Sequence, residues 1–295
     1  MRASRALRPF RFIGLNSIYI MWFILYFTIA WVVLGVDLYG FILAAIIYGT
    51  SVSVALSPFG EVLLRILENC REPATEEETS YLLPIFEEVF EDAKEIDPNL
   101  NDGIKIYIKD TMFLDSYALG RKTIVVTKGA IATFAEDELK GMIARELGNM
   151  SYGHTKAKLL TRIGNFFFTA IVWLLKMLLN VLLFINNAVR IRGIKGIIIT
   201  ILIHAVRFIF NANVFIFITI SEIILSINSR ANESQADAFA YDMGYGRELI
   251  SALYLLQKIS ITGEASLLER AKAAHFHIAF RIRDLEALEN QELED

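Results

Sequence analysis

Residues 145–149, Arg-Glu-Leu-Gly-Asn, have the spacing of a helical metal site, but two of the residue types do not suit a metal. In the pattern H-E-x-x-H, two His one helical turn apart bind zinc, and the Glu between them acts as general base. Here Arg145 and Asn149 stand at the two His positions, while Glu146 keeps the position of the base. Arg is always cationic and has no lone pair for zinc, and Asn is a poor zinc ligand. The segment therefore indicates a metal-site helix that has lost two of its ligands.

A second segment, residues 229–237, gives this short motif its context. It reads Ser-Arg-Ala-Asn-Glu-Ser-Gln-Ala-Asp and resembles the S-R-x-x-E-x-x-A-D signature of the HtpX-type membrane-embedded gluzincin metallopeptidases. The resemblance places Glu233 at the position of the third zinc ligand. It places Asp237, one helical turn later, at the position of the carboxylate that orients the first zinc-bound His.

The resemblance extends over about residues 60–290. Residues 123–129 resemble the family's strand before the active-site helix, and residues 137–144 resemble the opening of that helix. An HtpX-like gluzincin fold is therefore implied, mainly α-helical with a small β-sheet. The family's substrate-binding edge corresponds here to Asp115, Ser116, Tyr117 and Ala118.

Two places depart from the family pattern. Asp115 replaces the Asn that the family has at the substrate edge, which implies an altered edge. Near the C-terminus, His275 and Arg281 have the spacing of the family's H-P-x-x-x-x-R element, and they are expected to support the site. Phe276 and His277 replace the two prolines that usually follow this His.

Composition predicts a membrane protein independently of the family. Hydrophobic residues make up 55% of the chain, the mean hydropathy is positive, and Asp37 is the one charged residue between positions 12 and 60. About 20 residues span the hydrocarbon core, so residues 1–60 are predicted to hold two spans, at 12–35 and 38–57. The preceding basic residues are Arg2, Arg5, Arg8 and Arg11. They favour a cytoplasmic N-terminus, whereas a cleaved signal peptide disagrees with the length of the apolar run.

The following part, residues 61–162, is charged and is predicted to be the cytoplasmic, peptidase-like part with the active-site-like helix. Alternation at 104–109 and the apolar run 123–127 predict two strands.

The net charge of −4 gives no support to nucleic-acid binding, and the single Cys70 excludes an internal disulfide. A helix with one buried stripe is predicted from Leu82, Leu83, Phe86, Val89, Phe90 and Ala93.

A second hydrophobic block, residues 163–227, is predicted to form another hairpin, followed by a helical part, 228–295, that completes the peptidase-like domain. Glu146 and Glu233 flank the block and can meet only if it crosses the membrane an even number of times. Two crossings give about four transmembrane helices in all. They would place a basic cluster near residue 192 outside, against the positive-inside tendency, so a shallow re-entrant hairpin is the alternative.

Several charged and His side chains allow a functional or an ordinary interpretation. Lys176 and Arg207 in the second hydrophobic block could mark a pathway, or could face the bundle with snorkelling stems, which we favour. His204 has no partner at ligand spacing and is interpreted as structural. His154 follows Arg145 by nine residues, about 180° around a continuous helix, and is expected to point away from the ligand face.

Loss of the zinc leaves a problem of charge. If Glu146, Glu233 and Asp237 converge on one pocket, three carboxylates without a cation would repel each other. The guanidinium of Arg145 can bridge carboxylates and supply the missing positive charge. Our hypothesis is that Arg145 replaces the metal electrostatically; the alternative is that Arg145 extends to solvent.

These features together predict a multi-pass protein of the cell membrane with its soluble part in the cytoplasm. The expected function is that of a pseudopeptidase that binds or regulates membrane proteins, with the bilayer, membrane-protein segments or an active homologue as partners. No cofactor is expected. The first alternative is a zinc-dependent membrane metalloendopeptidase with unorthodox ligands, and the second is a stress or immunity-type membrane protein.

The topology can be tested by cysteine labelling in intact cells. In a chain with Cys70 replaced by Ser, Asp37→Cys should react with an impermeant thiol reagent, because the turn between the first two spans is expected outside. Asn101→Cys should react only after the membrane is opened. The reverse labelling pattern would refute the predicted orientation.

Overall fold

The structure, a computed structural model, describes residues 17–163, 174, 176–182, 184–185, 198, 200–208, 211, 232–262 and 275–294. These residues belong to two compact units. The described residues of the first unit lie within 55–161 and 228–295, and those of the second within 17–54 and 162–227. Most of them are helical and a small mixed sheet accompanies the helices, as the sequence predicts.

Two apolar helices begin the second unit: α1, Ser17–Leu34, and α2, Leu38–Leu56. Asp37 closes the turn between them, because its Oδ1 accepts a 2.6 Å hydrogen bond from the backbone N–H of Gly40. Its carbonyl oxygen accepts a second one, of 3.1 Å, from Trp31 Nε1. Both helices lie within the segments that the sequence predicts as the first two spans.

Among the described residues, α2 is the one helix that is long and apolar enough to cross a bilayer, and α1 holds a shorter apolar stretch, Phe23–Val32. Most of the second predicted hairpin, residues 163–227, lies outside the described residues. Its described stretches at 176–182 and 200–208 are helical. It therefore stays a prediction that the chain crosses the membrane four times, as does the re-entrant alternative. The interpretations of Lys176, His204 and Arg207 also stay predictions.

The first unit combines a four-stranded sheet with several helices. The strands are β1, Cys70–Arg71; β2, Lys105–Lys109; β3, Ser116–Leu119; and β4, Thr123–Thr127. The helices are α3, Pro58–Leu67; α4, Glu76–Ile96; α5, Lys128–Thr133; α6, Glu136–Ser151; α7, His154–Ile163; α8, at residues 232–242; α9, Gly246–Thr262; and α10, His275–Glu294.

The sheet has the order β1-β2-β4-β3, in which β2 and β4 are parallel and the outer pairs are antiparallel. All five residues of β4 are buried, as expected of a central strand rich in β-branched side chains. Both strands predicted from the sequence, at 104–109 and 123–127, are confirmed. Among the described residues, β3 pairs only with β4, so it is an edge strand of the sheet, and it contacts α6.

Helix α4 has the buried stripe that its sequence predicts. Thr75 and Glu78 form a capping box that satisfies the first backbone N–H groups of the helix. The stripe packs on the sheet and on α6. Leu82, Ile85, Phe86, Val89 and Ala93 are its buried members, and Leu83 and Phe90 are partly buried.

Helix α6 lies at the centre of the first unit, between α9, α4 and β3. Two glycines allow neighbouring helices to approach it closely. A Cβ atom at Gly141 would lie 2.5 Å from Leu249 N of α9, and one at Gly148 would lie 2.9 Å from Phe239 Cβ of α8. The close packing leaves residue 146 with 2% of its surface exposed.

Helix α3 is held on the sheet by one buried carboxylate. Glu61 accepts hydrogen bonds from Arg121 N at 2.9 Å, Lys122 N at 3.0 Å and Thr123 Oγ1 at 2.6 Å. The turn between β3 and β4 approaches this carboxylate so closely that a Cβ atom at Gly120 would lie 2.7 Å from Glu61 Oε2. Gly120 also has a φ of +61°, which favours glycine. The end of the edge strand is therefore fixed to α3.

Candidate functional site

The carboxylate of Glu146 is engaged on both of its oxygen atoms. Its Oε2 accepts hydrogen bonds from the backbone N–H of Ala118 at 2.9 Å and from Asn149 Nδ2 at 3.1 Å. Its Oε1 lies 2.9 Å from Arg145 Nη1. Ala118 belongs to edge strand β3, so the carboxylate joins the sheet to α6. The side chain at the predicted position of the general base thus has a clear structural role.

Arg145 lies between two buried carboxylates. Besides its contact with Glu146, its Nε atom lies 3.5 Å from Asp237 Oδ1 on α8. Asp237 in turn accepts two hydrogen bonds of 2.7 Å from Arg281 of α10, one from Nε and one from Nη2. The side chains of Arg145 and Arg281 are only 13% and 11% exposed. A continuous row of alternating charges therefore joins α6, α8 and α10.

The electrostatic environment keeps Arg145 charged. Burial lowers the pKa of its guanidinium, but the carboxylates of Glu146, Asp237, Glu233 and Asp115 together raise it above the ordinary value. Nε of Arg145 is buried and has no hydrogen-bond partner within the described part of the chain, so its contact with Asp237 is ionic. The alternative that this side chain extends to solvent is wrong.

The three carboxylates of the predicted pocket are arranged unevenly. Glu146 and Asp237 meet through Arg145, whereas Glu233 is partly buried and acts on Arg145 from farther away. Across the described ranges, no three His, Cys, Asp or Glu side chains are grouped closely enough to hold a metal ion. The carboxylates are thus arranged around a guanidinium.

The residues at the predicted zinc-ligand positions do not fit zinc. Arg145 contributes a cation to the place where a His lone pair is needed. The amide of Asn149 is 2% exposed and engaged at both ends, since its Nδ2 donates to Glu146 and its Oδ1 lies 3.3 Å from His154 Nδ1. Of the three ligand positions that the resemblance implies, only that of Glu233 holds a residue type that binds zinc, and this assignment stays a prediction. Catalytic zinc sites use three protein ligands and a water.

His154 is near the site, and the prediction that it points away was wrong. That prediction assumed one continuous helix, but α6 ends at Ser151 and Gly153 turns the chain with a φ of +76°. The imidazole is 4% exposed, contacts Asn149 and stacks on Tyr152 with ring centroids 5.7 Å apart. Gly153 was the signal in the sequence that could have revealed the break.

The predicted substrate edge coincides with β3 and the residue before it. Asp115 is exposed, Tyr117 is half-buried, and Ser116 is 1% exposed with an Oγ that has no hydrogen-bond partner among the described residues. The contact that closes this edge, from Ala118 N to Glu146, is made by a backbone group. Residue-type patterns do not reveal such a contact, and sequence reasoning missed it.

The C-terminal element is placed only in part. Arg281 contacts Asp237, and so it reaches the charged row from α10. His275 begins that helix, but its side chain lies outside what the structure describes. A supporting role of His275 therefore stays a prediction.

One comparison with known proteins bears on this site. A family model described as peptidase family M48 matches residues 81–289, which is more than half of the chain. The match includes most of α4, the sheet strands after β1, α6 and the charged row. Peptidases of this family are zinc-dependent and are typically membrane-bound. A search of curated proteins finds no match to the chain.

The charged row can be tested by removing its central cation. Arg145→Ala leaves two buried carboxylates without their shared partner, which should cost about 3–5 kcal/mol of unfolding free energy. Glu146→Gln in the same background should recover part of the loss. Denaturant unfolding of the full chain in detergent measures both effects.

Arg247→Ala is the matched control, because Arg247 is 75% exposed and pairs with Glu289 at 2.6 Å. An exposed pair of this kind contributes about 0–1 kcal/mol. If Arg145→Ala costs no more than Arg247→Ala, the idea that Arg145 stabilises the site as a substitute cation is wrong.

Proposed function

The chain belongs to peptidase family M48, and we propose that it is a multi-pass membrane pseudopeptidase that binds or regulates membrane proteins without hydrolysing them. The observation that carries the proposal is the engagement of Glu146 by Arg145, Ala118 and Asn149. The carboxylate at the position of the general base is used to hold the fold together.

Hydrolysis of an amide requires a base that can reach a water molecule and an electrophile that activates it. Oε2 of Glu146 already accepts two hydrogen bonds, and Oε1 faces a guanidinium. Zinc would supply the Lewis acid in active relatives, but Arg145 and Asn149 do not fit as its ligands. We therefore expect that this chain cannot hydrolyse amides as the family does, because two zinc ligands are replaced and the carboxylate of Glu146 is not free to act as a base.

An apolar partner is favoured by the loop before the edge strand. Met112 and Phe113 are 76% and 81% exposed although the backbone around them is anchored. Thr127 Oγ1 donates to Phe113 O at 2.6 Å, and the backbone of Gly129 approaches the loop so closely that a Cβ atom would lie 2.3 Å from Met112 O. Two large apolar side chains held out by a fixed backbone are suited to contact a hydrophobic segment.

The mode of binding follows from the state of the edge strand. An added strand would need backbone N–H groups of β3, but that of Ala118 is already donated to Glu146. Side chains beside the edge, above all Phe113, are therefore expected to make the main contacts with a partner.

Zinc analysis of the purified full-length protein tests the loss of the metal site. We expect no stoichiometric zinc, and we expect a chelator to leave the melting temperature unchanged, because the ligand positions hold a cation and an amide. The double variant Arg145→His, Asn149→His restores two His beside Glu233 and should gain zinc. One zinc per chain in the unaltered protein, released by a chelator with loss of stability, would establish the zinc endopeptidase instead.

Binding can be tested by photo-cross-linking in intact cells. A photoreactive residue at position 113 should form adducts with membrane proteins, and Met112→Ser should reduce their yield. Glu77 is an exposed residue on α4 and gives the matched control position. Equal adducts from positions 77 and 113, or none from 113, would contradict a binding role for this loop.

A further inference from the structure

Helix α3 has two faces of opposite character. One face is buried on the sheet and includes Glu61 and Leu64. The other is apolar and open to the surroundings, with a spacing that makes one stripe along the helix. We call these residues the apolar face of α3: Phe59, Val62, Ile66 and Leu67, which are 63%, 38%, 66% and 66% exposed. Four large apolar side chains on a ten-residue helix form an unusual surface for contact with water alone.

The chain places this face next to the end of a candidate membrane span. Helix α2 ends at Leu56, α3 begins at Pro58, and Ser57 between them caps α3 by accepting a hydrogen bond from Gly60 N. One residue extends the chain by at most about 3.6 Å. If α2 crosses the bilayer, α3 must therefore start at the level of the lipid headgroups.

Helix α3 cannot rotate about its axis to bury its apolar face on the sheet. Glu61 accepts three hydrogen bonds from residues 121–123, and Arg65 Nη1 donates a 2.5 Å hydrogen bond to Tyr107 OH of β2. The guanidinium of Arg65 also lies 4.8 Å from the centre of the Tyr107 ring. These contacts fix the rotation of α3 about its axis, so its apolar face is directed away from the sheet.

Basic residues lie near α3, on and beside the turn that Glu61 binds. Arg121 and Lys122 are exposed on the turn that Glu61 binds. Lys156 of α7 is half-buried, and its pKa is lowered by burial and by the nearby charge of Arg121. Clusters of Lys and Arg beside a membrane span attract the anionic headgroups of the cytoplasmic leaflet.

We propose that α3 is an interfacial anchor whose apolar face lies in the boundary between the headgroups and acyl chains of an anionic bilayer. The proposal rests on the membrane attachment included in the proposed function. Through Glu61, the anchor holds the β3–β4 turn, and with it the edge strand, close to the membrane surface. The edge strand β3 and the loop before it would then meet segments of membrane proteins where they emerge from the bilayer.

Depth-dependent fluorescence quenching tests the anchor in the full chain. Cys70 is the single cysteine, so Cys70→Ser provides a background for Phe59→Cys or Ile66→Cys labelled with an environment-sensitive dye. The protein is placed in nanodiscs of phosphatidylcholine and phosphatidylglycerol, with or without nitroxide on the acyl chain near the headgroup. Both labels should lose most of their fluorescence, because an interfacial helix buries its apolar face about 5–10 Å below the surface.

Labels at two further positions distinguish a failure of the α3 anchor from a failure of membrane attachment as a whole. Leu43→Cys reports on α2, where Leu43 is 46% exposed, and Glu77→Cys on α4 should not be quenched. If position 43 is quenched but 59 and 66 are not, the anchor is wrong while membrane attachment stands. A blue-shifted, unquenched label at 59 or 66 would show a second copy or another protein on the face, which also overturns the proposal. If none of the positions is quenched, membrane attachment fails as well.

Discussion

The row of charges from Glu146 through Arg145 and Asp237 to Arg281 is the interaction on which the candidate site depends. Buried ions are tolerated only when they are paired, and here each carboxylate has a guanidinium neighbour. The row joins α6, α8 and α10, which are far apart in the sequence. Through Ala118 it also includes the edge of the sheet. Removing one charge therefore affects the contacts of three helices and a strand.

The same row explains why a Glu at position 146 is compatible with the proposed loss of the metal site. A Glu retained at the position of the general base would ordinarily suggest that hydrolysis is retained, but this carboxylate also stabilises the fold. It accepts from Ala118 N and Asn149 Nδ2 and lies against Arg145, so it joins α6 to β3 and offsets a buried cation. In the unaltered background, replacing Glu146 with an apolar residue would leave the backbone N–H of Ala118 and the guanidinium of Arg145 without their acceptor in the interior. These contacts give Glu146 a structural role that does not depend on catalysis.

Much of the fold follows from local sequence patterns, but the connections within the site do not. Alternation and apolar runs predicted β2 and β4, and a single stripe predicted α4, because these signals reflect the periods of strand and helix. The bridging role of Arg145 could be inferred because carboxylates gathered without a metal require a cation.

The position of His154 could not be obtained from an angle on a helix, since Gly153 breaks that helix. The bond from Ala118 to Glu146 and the three bonds to Glu61 join a side chain to backbone groups distant in sequence, and no residue pattern encodes them. The groups bound by Glu146 and by Glu61 nevertheless belong to the same hairpin, β3–β4. One buried carboxylate holds its edge strand from α6, and another holds its turn from α3. With both points fixed, the edge is a rigid border of side chains that the proposed partner would contact, while the backbone N–H of Ala118 already donates to Glu146.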